Sequence, residues 1–168
     1  MTSFPAESKG RAVWRELRAH WGIVLTTAVG LVLGTLSWFT RGAYLEPISR
    51  ELGWSVSAIS AGMVFNAVGS MISAPFIGRF MDRHGVRRVV LAGIPLYALS
   101  YAAFGLVGGS IVTFYALCLV NGACGMAPHP FTYSRAINGW FSVGRGTALG
   151  LMSSGVGLSA MIGPMLVV

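Results

Sequence analysis

What most constrains this chain is where its charges are missing. No Asp, Glu, Lys or Arg lies in Ala19–Thr40, Leu52–Gly78, Val89–Ser134 or Gly146–Val168. A helix needs roughly 20 apolar residues to cross a hydrocarbon core about 30 Å thick. The first, second and fourth stretches each hold one crossing. The third holds two, with "GLVGGS" (105–110) as the turn between them. The expected fold is therefore an all-α polytopic membrane protein. An arm of residues 1–20 precedes five spans near 21–39, 58–79, 88–107, 110–131 and 147–168. Charged residues make up 10 % of the chain, against about 25 % in soluble domains, which excludes an ordinary soluble domain. The 23 glycines suit close helix packing in lipid.

Ten of the twelve lysines and arginines fall on one side of these spans: Lys9, Arg11, Arg15, Arg18, Arg79, Arg83, Arg87, Arg88, Arg135 and Arg145. The other side holds Arg41 and Arg50, offset by Glu46 and Glu51. Such an asymmetry predicts a cytoplasmic N-terminus. It also accounts for the net charge of +7 without a nucleic-acid partner. Span 1 is too long for a signal-peptide core and no small-x-small site closes it, so it reads as an uncleaved helix. Cys118 and Cys124 have no His or acid at ligand spacing and read as packing residues.

Within the arm, residues 7–21 suit a short interfacial helix with Trp14 and Trp21 at headgroup depth. Loop 41–57 should be external, with Pro47 breaking or ending a helix, Trp54 as an interface anchor and Ser55 or Ser57 capping span 2. In span 2, Gly62, Asn66, Gly69 and Ser73 share one stripe. Tight helix packing and the lining of an aqueous cavity both fit it. "MAPHPF" (126–131) interrupts span 4, and a broken helix at membrane depth is tolerated only inside protein or beside a cavity. His129 there reads either as a structural histidine or as a proton carrier. Gly30 with Gly34, and Gly146 with Gly150, form GxxxG pairs, each a face on which another helix can approach. No nucleophile–base pair, carboxylate pair or metal-ligand cluster stands out, so neither an enzyme nor a metal or cofactor is expected.

The segment "GRFMDRHGVRRVV" (78–90) sets one acid among arginines between spans 2 and 3. Its Gly78, Asp82, Arg83, Gly85, Arg87 and Arg88 resemble the signature of the major facilitator superfamily at that loop. "GVGLSAMIGP" (155–164), with Gly155, Gly163 and Pro164, looks like the family's second signature. "EPISRELGWSVSAIS" (46–60) and "NGWFSVGRGTALGLMSSGVGL" (138–158) resemble the monocarboxylate porter and oxalate/formate antiporter group, and "FTRGAY" (39–44) does so more weakly.

The resemblance implies an incomplete N-terminal six-helix half of a secondary transporter in the plasma, or bacterial inner, membrane. In such carriers the Asp82 cluster latches the two halves at the cytoplasmic side and breaks as they rock. The partner of that latch is then expected outside this chain. Arg41 would draw a small organic anion into the cavity, with Tyr44 and Asn66 nearby; the alternative is snorkelling to headgroups. Arg145 would anchor the cytoplasmic end of span 5. The expected partners are the lipid bilayer, the anion, and either a missing C-terminal half or another membrane protein. A short membrane protein acting as subunit or regulator of a full-length carrier is the other reading, and a carrier of a different substrate class a further one.

Overall fold

A computed structural model describes residues 9–166, apart from the side chains of residues 41–45. Among the described residues there are helices and turns and no strand. Helix α1 (Lys9–Ala19) is separated by His20 from α2 (Trp21–Leu52). α3 (Val56–His84) and α4 (Val86–Ala102) follow, then a 3₁₀ turn (Ala103–Leu106), α5 (Ile111–Gly125), α6 (Pro130–Trp140) and α7 (Arg145–Met165).

Five stretches are long and apolar enough to cross a membrane: Trp21–Thr40, Val56–His84, Val86–Leu106, Ile111–Trp140 and Arg145–Met165. Large apolar side chains such as Leu33, Met71, Leu91, Leu99, Val112 and Met161 point outward. Helices that are apolar all round suit lipid rather than water. The chain is an integral membrane protein.

Helices α2 and α3 outrun the bounds read from sequence. Instead of an outer loop broken at Pro47, α2 continues through that proline to Leu52. Proline forfeits its own N–H bond and strains one turn, while the exposed Glu46–Arg50 ion pair bridges the same turn. The helix stops at Gly53, whose φ of +66° is left-handed. Ser55 is the cap of α3, its Oγ accepting from the Ala58 N–H at 3.2 Å. Gly85 alone joins α3 to α4 with φ +79°, a conformation that side chains resist. "GLVGGS" forms the turn before α5, with Gly109 at φ +81°.

Two helix pairs make the frame: α3 against α5, and α2 against α7. In the first, Ile59, Gly62, Asn66 and Gly69 are buried on one face of α3, opposite Phe114, Cys118, Asn121 and Gly122 of α5. A methyl at Gly122 would overlap the Asn66 carbonyl oxygen, and one at Gly69 the Leu119 carbonyl oxygen. The backbones themselves touch. In the second pair, a methyl at Gly155 would lie 2.6 Å from the Ala28 carbonyl oxygen. Ser159 Oγ donates to the Val32 carbonyl at 2.9 Å and accepts from Thr35 Oγ1 at 2.9 Å. A core of Leu17, Val24, Leu31, Tyr133, Ile137, Phe141, Ala148 and Met152 ties α1, α2, α6 and α7 together.

Candidate functional site: a cavity beside the break in span 4

Span 4 is not one helix. After Gly125 the backbone turns, and His129 adopts an extended conformation (φ −75°, ψ 149°) before α6 starts at Pro130. Pro128 and Pro130 take two donors, two residues apart, out of the α5 ladder, and a proline suits the first position of a new helix. The break is patched locally. Thr132 Oγ1 donates to the Met126 carbonyl at 3.2 Å, and the Phe131 N–H donates to His129 Nδ1 at 3.4 Å. With Nδ1 accepting, the neutral imidazole carries its proton on Nε2 and retains one donor for another partner.

A cavity of about 350 Å³ adjoins the break. Gly34, Thr35, Trp38 and Phe39 line it from α2, Tyr97 from α4, Val156 from α7, and Gly125, Pro128, His129 and Pro130 from the break itself. The wall is mainly aromatic and aliphatic. Its hydroxyls are engaged: Tyr97 with Ser37 at 3.1 Å and with Tyr101 at 3.4 Å, Thr35 with Leu31 and Ser159. Among the described lining residues His129 is the one that can carry a positive charge. An ionisable group at membrane depth marks a functional site by default.

A second cavity, of about 380 Å³, opens between α3, α4 and α5 and includes Asn66 and Asn121. Three of the four amide N–H donors there are already used. Asn66 Nδ2 donates to the Cys118 carbonyl (3.2 Å) and to Asn121 Oδ1 (3.1 Å), and Asn121 Nδ2 donates to Ser100 Oγ (2.9 Å). These amides fasten helices, and the remaining wall is apolar apart from Tyr101, whose hydroxyl accepts from Tyr97. The cavity at the break is the better candidate for a cargo path. Thr35, Trp38 and Tyr97 carried no motif in the sequence; only the interruption at 126–131 pointed to the place.

At the end of α3, Asp82 forms an ion pair with Arg135 of α6, both about half exposed. The acid thus has a partner within this chain, contrary to the expectation of one outside it. The reason is the continuation of span 4 through α6, which brings Arg135 to the tip of α3. In the sequence Arg135 served only to orient span 4. Arg83, Arg87 and Arg88 are exposed, and Gly78 has open space beside it.

Glu16 of α1 makes the densest polar contact nearby. Its carboxylate accepts from the Ser142, Val143 and Gly144 N–H groups at 2.6, 3.0 and 2.6 Å and from Ser142 Oγ at 3.0 Å. These N–H groups lead into the N-cap of α7 at Gly144, where an acid is favoured by the helix dipole as well. The Ser142 and Gly144 backbone bonds lead in holding the Glu16 carboxyl below its ordinary value. Nothing in the sequence pattern pairs residue 16 with residues 142–144. Arg145 donates to the Phe141 carbonyl, bracing the same turn.

The glycine pairs divide. A Cβ at Gly30 would strike the Tyr133 ring, and at Gly34 the Pro128 carbonyl oxygen at 2.8 Å. Gly163 sits 3.1 Å from Phe39 by the same measure, with Pro164 next to it in the last turn of α7. Beside Gly146 and Gly150 no described residue comes within 4 Å. The side chains of Arg41 and Tyr44 lie outside the described residues; their backbone continues α2 beyond Trp38. Among the described residues no cluster of His, Cys, Asp or Glu has metal-binding form.

A polytopic helical protein with a cavity at a broken span is the architecture of a membrane carrier. The Major Facilitator Superfamily profile matches residues 26–168, and the chain belongs to that family. It is 30 % identical over 151 residues to an MFS-type transporter of Gibberella moniliformis, covering 88 % of this chain and 34 % of the relative. It is 25 % identical over 136 residues to multidrug resistance protein 2 of Bacillus subtilis, covering 81 % and 32 %. The oxalate:formate antiporter of Oxalobacter formigenes is 29 % identical over 118 residues, covering 70 % and 28 %. The chain thus spans about a third of the length of these relatives.

Proposed function

We propose that this chain is the N-terminal portion of a secondary transporter that moves small organic anions by alternating access. The cavity at the break carries the reading. It is apolar, borders four membrane spans, and offers the His129 imidazole as a donor. A carboxylate entering such a wall needs a hydrogen-bond donor and a countercharge. Arg41, about one turn beyond Trp38 on α2, is the cation assigned to attract it, with Tyr44 beside it. The likeness to an oxalate:formate antiporter agrees with this class. The aromatic lining also favours a second reading, a bulkier organic cargo, in keeping with the likeness to a multidrug resistance protein.

Transport is taken to need a second half or a partner protein facing this one, because the cavity is built from one set of spans only. The excess of basic residues at the α1 side supports a cytoplasmic N-terminus in a plasma, or bacterial inner, membrane. A subunit or regulator of a full-length carrier is the alternative, and the open Gly146–Gly150 face is the surface it would use.

The test is uptake of oxalate, formate and lactate into proteoliposomes, first by the 168-residue chain and then by the chain joined to a facilitator C-terminal half. We expect uptake only from the second, reduced at least tenfold by Arg41→Gln. Robust saturable uptake by the 168-residue chain would refute the need for another half. Equal anion affinity in Arg41→Gln would leave that residue a snorkelling role.

A further inference from the structure

Helix α1 presents two unlike faces. Leu17 is buried and Val13 packs with it in the core of α2, α6 and α7, while Glu16 reaches across to Ser142, Val143 and Gly144. On the other side, Arg11, Arg15 and Arg18 follow at i, i+4 and i+7 with Trp14 among them, and all four are exposed. Like charges at this spacing repel one another and weaken a helix. Trp14, 68 % exposed, is also out of place on a face meant only for water, and suits the headgroup zone.

Position narrows the occupant. One residue, His20, separates α1 from the first membrane span, and its ring lies 5.4 Å from Trp140 and 5.7 Å from Phe141. The basic face is thereby fixed at the level where α2 enters the bilayer. A row of guanidinium groups flanked by an indole, at that depth, matches the phosphates of anionic phospholipids. We propose that α1 is a surface strap whose Arg11, Trp14, Arg15 and Arg18 bind anionic phospholipid headgroups, while Glu16 ties it to the start of span 5. Lipid charge in that leaflet then bears directly on the helix that carries the Gly155–Gly163 seam. The proposal rests on the cytoplasmic placement of the N-terminus given above, but the lipid contact is tested independently of it.

The experiment is hydrogen exchange of residues 9–19 and 142–148 in the 168-residue chain, in nanodiscs of phosphatidylcholine with and without phosphatidylglycerol. Each basic side chain near an anionic surface contributes about fivefold to association. We expect α1 amides to exchange roughly tenfold more slowly in the anionic discs, an effect that added salt reduces. Arg11→Gln/Arg18→Gln should remove the difference between discs while leaving the 142–148 amides protected. Glu16→Gln should speed exchange at Val143 and Gly144 in both discs. Equal α1 exchange in the two lipids, or an undiminished difference in the double arginine variant, overturns the headgroup contact. Unchanged Val143 and Gly144 exchange in Glu16→Gln overturns the tie. Nanodiscs expose both leaflets, so sidedness is read separately by trypsin on right-side-out and inside-out vesicles. Cleavage of α1 from the outside would reverse the orientation without touching the lipid result.

Discussion

Two regions of this molecule carry the same signature of small residues at helical spacing, and the structure treats them in opposite ways. Along α3 and α5, Gly69 and Gly122 let backbone touch backbone, Gly62 sits against the Phe114 and Cys118 side chains, and Asn66 and Asn121 lock the contact. On α7, Gly146 and Gly150 have the better-known GxxxG spacing, yet no described atom approaches them. Small residues state that a helix can come close. Whether one does depends on what the rest of the face offers: the buried Asn121 amide of α5 gives α3 a reason to stay, and no described group of that kind lies opposite the Gly146–Gly150 face.

The comparison can be broken most forcefully at Gly122. Gly122→Ala would push a methyl into the Asn66 carbonyl, and we expect a loss of about 1–3 kcal/mol or more, read as a large fall in the melting temperature of the detergent-solubilised chain. Gly150→Ala should leave that temperature unchanged or slightly raised, since alanine is the better helix former by about 1 kcal/mol. Similar losses at both positions would end the distinction.

Asn121→Leu should come next, at about 1–3 kcal/mol, because it leaves one buried Asn66 N–H without its acceptor. Adding Asn66→Leu should recover part of that loss. Full additivity of the two would mean that the amides act separately rather than as a pair.

At the α3–α4 turn the effects should be smaller. Asp82→Asn removes an ion pair that is about half exposed, worth under about 1 kcal/mol in water. Its main readout is therefore a change in accessibility of the α3–α4 turn to labelling rather than in melting temperature. A melting shift as large as that of Gly122→Ala would make the pair a structural strut.

Glu16 gives the mildest and most conditional effect. Its folded pKa lies below the unfolded value, so its stabilising contribution is present above the unfolded pKa and disappears as pH falls through the folded one. Proteolysis of α1 should accelerate on acidification through that window in the wild-type chain and be insensitive to pH there in Glu16→Gln. A wild-type profile as flat as the variant's would mean that Glu16 does not hold α1.

Much of the architecture was legible because it follows from one term. Burying charge in hydrocarbon is costly at every position, so charge-free stretches of the right length report membrane spans directly, and the basic asymmetry reports an expected orientation. Interruption of span 4 was legible for a similar reason: two prolines flanking His129 remove donors wherever the segment folds. The ends of helices were less legible. Pro47 reads as a terminator, but a local ion pair and a left-handed glycine at 53 decide where α2 stops.

The sequence by itself determined that this protein is a bundle of apolar helices with a break at 126–131 and one acid among arginines at 82. Those features depend on transfer free energies and on missing backbone donors, which belong to residues individually. Tertiary structure alone decided that Asp82 meets Arg135, that Glu16 fills the turn before α7, that Asn66 binds Asn121, and that Thr35, Trp38, Tyr97 and His129 border one cavity. Each of these joins groups dozens of residues apart, and helix crossings, not local spacing, bring such groups within hydrogen-bonding range.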